Sequence, residues 1–386
     1  MRHSKRALRF RFGFLSLTIA ALLVPATTAS ADGSCRFELV LHPEVGGSQP
    51  FDQLYGIDAL SGTNIWAVGS SGAAAKPLVE HWINHDWSIV AAPDKGSTTE
   101  LYDVTAINPT NVWAVGYYTP SAGGHNRTLI EHWNGHAWNI VASPNPVAGA
   151  DNFLKGIDAV SATNIWAVGS NGRPGSKTII EHYNGSKWVT VQGASLPLGG
   201  DLQDVSAISR TNVVAVGAAA TSGGTDGLVE RFDGAHWNQE MVPAEATAGA
   251  VLNGVSAVSG SAQWAAGSRT GSASLQTLTL RDTGTSGWNV VDSPNVGTDK
   301  INFFNDISAV SATNAWAVGE YDSNSFVRRT LVAHFSNGSW KVVASPNRGT
   351  DDNRLFGVDM PSGTNVWTVG TANHPIGSTG LIEHNC

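Results

Sequence analysis

The sequence predicts an all-β protein, a seven-bladed β-propeller in which each blade is a four-stranded antiparallel sheet. A unit of roughly 50 residues repeats seven times along the chain. Each unit has four short segments rich in Val, Ile, Trp and Thr, separated by Asn, Gly, Ser and Pro, which is typical of strands and turns. Four strands per repeated unit of this length predict propeller blades. The glycine that ends the second segment marks the copies: Gly69, Gly116, Gly169, Gly217, Gly267, Gly319 and Gly370.

Composition excludes several other classes of protein. The chain has 386 residues, of which only 14% are charged, and it contains 43 Gly and 14 Trp. This composition excludes disorder, collagen and coiled coil. The formal net charge of -8 argues against nucleic acid as a partner. The only long apolar stretch lies at the N-terminus, so we expect no internal membrane span.

The first 31 residues are predicted to be a secretory signal peptide, which leaves residues 32–386 as the propeller domain. An apolar run over residues 12–24 precedes the small-residue cleavage site Ala29-Ser30-Ala31. The alternative is a membrane anchor, but the apolar run is short. We therefore expect a secreted, extracellular and monomeric protein with an acidic surface. The basic residues before the apolar run are Arg2, Lys5, Arg6, Arg9 and Arg11.

The two ends of the chain are predicted to close the ring together. The seventh copy stops after its third segment, and residues 35–43 align with the fourth segment of copy two, residues 136–144. The N-terminal strand would then complete the last blade and pair its open edge. Cys35 and Cys386 would flank the missing turn, so we predict a disulfide between them, the alternative being two free thiols.

Two repeated features are predicted to be structural. The fourteen Trp occupy repeat positions, so packing between blades is favoured over sugar stacking. Glu-His pairs such as Glu131-His132 recur in different blades, and adjacent strand residues point to opposite faces, so metal or acid–base roles are disfavoured. Val214 replaces the Trp of blade four, and we expect that blade interface to be less filled.

The turn Asn134-Gly135-His136-Ala137-Trp138 and its copies are tight-turn signals. With a Gly three residues before a Trp between two strands, the chain resembles the Asp-box (BNR-like) family of bacterial secreted propellers. Here the aspartate position of that motif holds Trp133, Tyr183 or Phe232. The resemblance implies the propeller architecture and transfers no catalytic residue, because the Asp-box is a structural turn.

Departures from the repeat identify candidate site residues in the loops of blades two and six. These blades lie across the ring, so their loops are predicted to meet over the central axis. Two arginines would hold an anionic polymer, and a His or Tyr would act as the base. The alternative is ordinary solvated loops. The ligand-binding candidates are Tyr117, Arg127, Tyr321 and Arg328, and the catalytic candidates are Tyr102, His125 and Glu320.

Three carboxylates are candidates for a metal site. Asp103, Asp204 and Asp306 begin the first segment of blades two, four and six, where the other blades have Gly. They would surround a cation such as calcium on the axis, although satisfying strand-end amides is the favoured alternative. We expect no other cofactor.

Two functions stay open from the sequence. The first is a binding module that takes an extracellular glycan or protein through its loop face. The second is a polysaccharide lyase or glycoside hydrolase with its site over the central funnel. Hydrolysis needs two nearby carboxyl groups, whereas elimination needs a base beside a cation.

Overall fold

The computed structural model describes residues 36–45, 51–172, 176–323 and 325–385. These residues form seven antiparallel sheets of four strands, which confirms the predicted propeller. The predicted signal peptide, residues 1–31, and both Cys35 and Cys386 lie outside the described residues. No helix in the described segments is long and apolar enough to cross a membrane.

The strands follow the chain order from the axis outward in blades one to six. Blade one has β2 (Gln53–Ser61), β3 (Asn64–Ser71), β4 (Lys76–Ile83) and β5 (Asp86–Ile89). Blade two has β6 (Thr98–Asn108), β7 (Asn111–Thr119), β8 (Arg127–Trp133) and β9 (Trp138–Val141). Blade three has β10 (Phe153–Ser161), β11 (Asn164–Ser170), β12 (Thr178–Tyr183) and β13 (Trp188–Val191). Blade four has β14 (Gly200–Ser209), β15 (Asn212–Thr221), β16 (Gly224–Phe232) and β17 (Trp237–Gln239).

Blade five follows a short 3₁₀ turn, Ala244–Ala246, and has β18 (Val251–Ser259), β19 (Ala262–Thr270), β20 (Leu275–Asp282) and β21 (Trp288–Val290). Blade six has β22 (Asn302–Ser311), β23 (Asn314–Asp322), β24 (Arg328–Ser336) and β25 (Ser339–Val343). Blade seven has β26 (Asn353–Ser362), β27 (Asn365–His374) and β28 (Gly377–Asn385), completed by β1 (Glu38–Leu39) from the other end of the chain.

Ring closure uses the same register as an uninterrupted blade. Glu38 pairs with His384 in blade seven, as Asn139 pairs with His132 in blade two. Phe37 takes the place of the Trp that opens strand four elsewhere, and its ring lies 5.6 Å from that of Trp316 in an edge-on arrangement. The predicted closure by the N-terminal strand is therefore confirmed.

Neighbouring blades are joined by a repeated aromatic unit. The Trp66 ring stacks on His81 of its own blade at 3.8 Å and meets Trp138 of the next blade edge-on at 5.5 Å. The His81 Nε2 atom also lies 2.9 Å from Asn64 Oδ1, which holds the imidazole in the stack. The prediction of packing between blades is confirmed. The same edge-on contact recurs at Trp113–Trp188, Trp166–Trp237, Trp264–Trp340 and Trp367–Trp87.

In blades one, two, three and seven a glutamate precedes this histidine, points to the opposite face of the sheet and is fully buried. Its partner is the linker that enters its own blade from the preceding one, as when Ser143 donates to Glu181 at 2.9 Å. Ser345 donates to Glu383 in the same way at 2.7 Å. In blade two the aligned linker residue is Ala92, which has no hydroxyl group, and both oxygens of Glu131 lack a hydrogen-bond partner among the described residues. Burial raises the pKa of all three of these glutamates to about 8.

The interface between blades four and five, at Val214, contains a network of polar side chains. Val214 is fully buried and clusters with Trp288 of blade five. Arg231 stands where other blades have histidine, and its Nε donates to Glu240 Oε1 at 2.5 Å while Nη1 donates to Gln263 Oε1 at 3.0 Å. Trp288 Nε1 donates to the other Glu240 oxygen at 2.8 Å. An ion-paired network therefore stands at this interface where other blades have an indole stacked on a histidine.

Candidate ligand-binding funnel on the propeller axis

A cavity of about 790 Å³ lies on the axis at the face where strand two joins strand three. Its wall is the start of the innermost strand of every blade, and small residues of blades three and four widen it on one side. This volume is within the range of small-ligand sites in proteins. We call this cavity the funnel. The small residues are Gly172, Ser176, Gly200, Ala218, Ala220 and Thr225.

A β-bulge in each innermost strand supplies the main wall of the funnel. In β2 the register shifts between Leu54 and Gly56, and the same shift occurs at the equivalent place in all seven blades. A bulge leaves one extra residue outside the ladder and re-aims its side chain. All seven extra residues line the funnel: Tyr55, Tyr102, Lys155, Gln203, Asn253, Asn305 and Phe356.

Along one half of the wall runs a continuous row of aromatic rings, in which Tyr117 lies behind the lining residues; we call this row the aromatic arc: Phe356, Tyr55, Tyr102, Tyr117 and Phe153. Neighbouring ring centroids along this row are 5.3, 5.5, 5.7 and 5.0 Å apart. The Tyr117 hydroxyl donates to Glu100 Oε1 at 2.7 Å, which orients its ring. The arc therefore offers a fixed apolar surface to a ligand.

The other half, which we call the polar arc, consists of Lys155, Gln203, Asn253 and Asn305. The Lys155 ammonium group lies 2.8 Å from both oxygens of Asp201. Asn253 and Asn305 donate their amide hydrogens to the carbonyl oxygens of Phe304 and Leu355 in the next blade, at 2.8 and 2.7 Å. These bonds hold the two amides in place, and each amide keeps a side-chain carbonyl oxygen that can accept a hydrogen bond from a ligand.

Asp103, Asp204 and Asp306 lie next to the bulges at the floor of the funnel. Each carboxylate bridges two blades: Asp204 accepts from the backbone N–H groups of Val205 and Val255, both at 2.7 Å. The intervening blades have Gly because the neighbouring strand is close. A Cβ at Gly156 would lie 2.7 Å from Asp204 Cα.

The three aspartates accept hydrogen bonds from backbone N–H groups of the strands, which is the alternative that the sequence favoured. In the described part of the chain, no group of three or more His, Cys, Asp or Glu side chains is arranged to hold a metal ion. Burial and then the charge of Asp204 raise the pKa of Asp103 and Asp306, and burial raises that of Asp204 to about 7.

The structure separates the candidate residues predicted from the loops. Tyr102 lines the funnel, and Tyr117 stands behind it in the aromatic arc. His125 and Arg127 are exposed on blade two, with His125 Nδ1 3.6 Å from Asp151 Oδ1. Neither of these two residues is part of the funnel lining that the described residues form.

The blade-six candidates form an ion-paired cluster of their own. Arg328 Nε lies 2.9 Å from Asp322 Oδ1, and its Nη1 lies 3.4 Å from Glu320 Oε1. Arg354 of blade seven approaches the same Glu320 oxygen at 3.6 Å. Tyr321 packs against the core of blade six. Within the described residues, none of these side chains lines the funnel, and the Arg328 guanidinium already has carboxylate partners.

The electrostatics do not favour Tyr102 as a general base, and Glu320 is hard for a ligand to reach. Burial, followed by the nearby charge of Glu100, raises the pKa of Tyr102 above its ordinary value. A base needs the opposite shift, because its proton must leave near neutral pH. Burial raises the pKa of Glu320 to about 7, against the opposing effects of Arg354 and Arg328, and this value suits a general acid or base. That carboxyl group is nearly inaccessible, with 3% of its residue surface exposed.

Most of the funnel lining was missed by sequence reasoning, although a signal exists. The residue between the repeated Leu (Phe304 in blade six) and the Gly or Asp is Tyr, Lys, Gln, Asn or Phe in the seven copies, whereas its two neighbours vary little. The loops of blades three and four, rich in Ala, Gly, Ser and Thr, also escaped notice. Their small side chains make room for a ligand instead of contacting it.

Comparison with known proteins supports the fold. No protein-family profile and no curated protein matches the chain. Among solved structures, YCF48 from Cyanidioschyzon merolae superposes with a TM-score of 0.56 at 12% identity, covering 90% of this chain and 98% of that one. YCF48 bound to a D1 peptide gives 0.53 at 10% identity, covering 89% and 96%.

A PL25 ulvan lyase bound to a GlcA(1-4)Rha3S glycan also superposes, with a TM-score of 0.53 at 11% identity, covering 91% of this chain and 94% of the lyase. At such identities the likeness shows the β-propeller architecture alone. The class of the protein is thus a seven-bladed β-propeller, and its relation to the Asp-box type stays an expectation from the sequence.

Proposed function

We propose that this protein is a secreted glycan-binding propeller that holds a segment of an extracellular polysaccharide in its funnel. The observation that carries the proposal is the division of one cavity into the aromatic arc and the polar arc. Secretion rests on the signal-like N-terminal sequence, and we expect the mature protein to act as a monomer.

The two arcs match the two chemistries of a sugar ring. A pyranose presents C–H groups on its faces, which pack on aromatic rings, and hydroxyl groups around its edge, which need hydrogen-bond partners. Tyr55 and Tyr102 offer ring surface, while Asn253 and Asn305 offer carbonyl oxygens opposite. Because neighbouring blades already hold both arcs in place, little side-chain conformational freedom is lost on binding.

Binding is favoured over catalysis by the state of the titratable groups. The funnel carboxyl groups Asp103, Asp204 and Asp306 already accept backbone N–H groups, and Tyr102 stays protonated at neutral pH. The same architecture accommodates a peptide in YCF48 and a glycan in the ulvan lyase. The aromatic arc facing the polar arc in this funnel favours the glycan.

The test is titration of the mature protein with soluble plant and bacterial oligosaccharides by calorimetry. For a ligand that binds, we expect Tyr55→Ala and Tyr102→Ala to lower the affinity at least about tenfold. Phe326→Ala is the matched control, since this aromatic side chain is 79% exposed and lies outside the funnel lining. Unchanged affinity in both tyrosine variants would overturn the proposal.

Incubation of the protein with the same oligosaccharides distinguishes binding from the alternative, a polysaccharide-degrading enzyme. Reducing ends and the absorbance of unsaturated uronates are measured over a day at 25 °C. We expect neither to rise above the protein-free control. Release of products that is lost in Tyr102→Phe, which keeps the ring and removes only the hydroxyl, would favour a lyase.

A further inference from the structure

We propose that His42 and Glu80 form a pH-sensitive clasp that holds the ring closed in acidic and neutral solution and loosens it as the solution becomes alkaline. The clasp lies at the interface between blades seven and one, which we call the seam, because the N-terminal segment joins the two blades there. This device goes beyond glycan binding, since neither residue lines the funnel that the described residues form.

Elsewhere in the ring, a serine of the linker joins two blades at this place. Between blades two and three, the Ser143 hydroxyl lies 2.7 Å from Thr128 Oγ1 of its own blade and donates to Glu181 of the next blade at 2.9 Å. This contact needs no charge on the serine, so it links the blades by a neutral donor. The same arrangement recurs between blades six and seven, with Ser345, Thr330 and Glu383.

At the seam, two of these three positions change together. His42 occupies the position of the serine and Gly380 that of the threonine, while Glu80 keeps the glutamate. A Cβ at Gly380 would lie 2.7 Å from His42 Cε1, so the imidazole ring needs a glycine beside it. The Nδ1 atom of His42 lies 3.2 Å from Glu80 Oε1 of blade one, and its Nε2 atom lies 3.0 Å from the Gly380 carbonyl oxygen of blade seven. His42 therefore bridges the two blades.

The two contacts of His42 determine how many protons the clasp holds. The Gly380 carbonyl oxygen can only accept, so Nε2 carries a hydrogen. A second hydrogen must lie between Nδ1 and Glu80 Oε1, because lone pairs at that distance repel each other. The side chains of His42 and Glu80 are 4% and 0% exposed, and the other Glu80 oxygen has no hydrogen-bond partner among the described residues. Loss of the second hydrogen to solvent therefore leaves a buried carboxylate facing a lone pair.

Three other charged groups face the clasp, and each has a partner of its own. Arg348 Nη2, from the linker before blade seven, lies 2.6 Å from Glu44 Oε1. Asp52, directly before β2, accepts from the N–H group of Val45 at 2.9 Å. Burial raises the pKa of Asp52 from 3.8, so this acid also titrates at the seam. Substitutions at the clasp leave Asp52 in place, so a comparison among such variants isolates the clasp.

The charges around His42 set the direction of the pH dependence. Burial lowers the pKa of His42, as does Arg348, but the hydrogen bond and the charge of Glu80 outweigh both, and the pKa is raised from 6.5. The folded state thus keeps a proton that the unfolded state loses above pH 6.5. The contribution of the clasp to stability is fully present below pH 6.5 and is lost as pH rises through the pKa of the folded state.

The test measures local opening of the seam by backbone hydrogen exchange between pH 5.5 and pH 9, with each rate corrected for the intrinsic pH dependence of exchange. The reporters are the N–H groups of Val40 and Asp52, which donate to the carbonyl oxygens of Ile382 and Ser378 in blade seven at 2.9 and 3.0 Å. We expect the protection of both to fall several-fold as pH rises above 6.5.

Two variants separate the clasp from other titrating groups. Glu80→Gln removes the charge that raises the pKa of His42 and leaves the burial that lowers it. We therefore expect the pH dependence to reverse, with protection falling below pH 6.5. The double variant His42→Gln with Glu80→Gln has no titrating group in the clasp, and both changes in protection should disappear. His136→Gln, an exposed histidine in the outer turn of blade two, is the control and should match the natural protein.

A second measurement needs no variant. The histidine resonances of the natural protein are titrated by NMR, with His42 assigned through its backbone. We expect the pKa of His42 to lie above 6.5, whereas burial lowers the pKa of the Trp-stacked His81 to about 4. A His42 pKa below 6.5 overturns the proposal. Seam protection that is constant from pH 5.5 to pH 9 in the natural protein, or that falls equally in Glu80→Gln, also overturns it.

Discussion

The same seven repeats form both the contacts between blades and the wall of the funnel. The residues at equivalent positions are nearly the same in every copy at the contacts between blades, but they vary among the copies in the funnel wall. The indole of strand two meets an aromatic ring of the next blade in six blades, as Trp66 meets Trp138. The bulge residue of the funnel is Tyr, Lys, Gln, Asn or Phe, depending on the blade. The residues that pack between blades are therefore repeated, whereas the residues that face the funnel vary.

The difference has a physical cause. Each blade packs on a neighbour of nearly the same shape, so the side chains between them must fill the same volume seven times. The bulge residue faces open space on the axis, where no neighbour restricts its size or polarity. Blade four supports this view, because the loss of Trp at Val214 is accompanied by changes at Arg231 and Glu240, which contact each other.

The sharpest test of this comparison truncates one side chain between blades and one side chain in the funnel wall. Trp66→Ala removes a fully buried indole, and we expect a loss of about 3–5 kcal/mol in unfolding free energy. Tyr55→Ala, in the half-buried funnel wall, should cost about 1 kcal/mol. Chemical denaturation at 25 °C measures both. Equal losses would show that the funnel wall is also part of the packing.

The second test concerns blade seven, which is closed by two separate segments of the chain. We expect the predicted Cys35–Cys386 disulfide to be present in the secreted protein, and Cys35→Ala to lower stability by about 2–4 kcal/mol without changing the fold. Intact mass before and after alkylation checks the bond, and thermal unfolding checks its effect. Two alkylated thiols in the unreduced protein would contradict the prediction.

The smallest expected effect on stability concerns two equivalent buried glutamates, Glu131 of blade two and Glu181 of blade three. Glu131 lacks the hydroxyl donor that Glu181 receives from Ser143. Burial raises the pKa of Glu131 from its ordinary 4.5 to about 8, so the folded state keeps a proton that the unfolded state has lost. The contribution of Glu131 to the free energy of unfolding is therefore most favourable at pH 4.5 or below, and it declines as pH rises toward about 8.

Glu131→Gln removes this titration. We expect the variant to gain roughly 1–3 kcal/mol over the natural protein at pH 8 and much less at pH 5. Glu181→Gln is the matched variant: the pKa of Glu181 is also raised to about 8, but the substitution replaces the carboxylate that accepts from Ser143, so its gain at pH 8 should be smaller. Urea midpoints at the two pH values provide the measurement. A gain at Glu131 that is the same at both pH values would refute this account.

Sequence reasoning was most successful where a side chain repeats. It identified the seven blades, the Trp contacts and the closure by the N-terminal strand, because spacing along the chain reports these directly. It was least successful for the site. His125 and Arg328 are unusual in their blades, but one is exposed beside Asp151 and the other is paired with Asp322. An unusual loop residue predicts either a ligand contact or a local ion pair, and in blade six Arg328 forms ion pairs with Asp322 and Glu320.

The sequence by itself determined the number of blades, their four-stranded form and the identity of the residues between them, since each blade must bury the same apolar faces as the next. Only the tertiary structure decided which side chains face the axis. The bulge beside Tyr102 adds one residue to the strand and turns that side chain into the funnel. A bulge depends on how two strands pair, which no residue of either strand specifies alone. The arrangement of aromatic rings opposite amides likewise arises only when seven distant segments close into a ring.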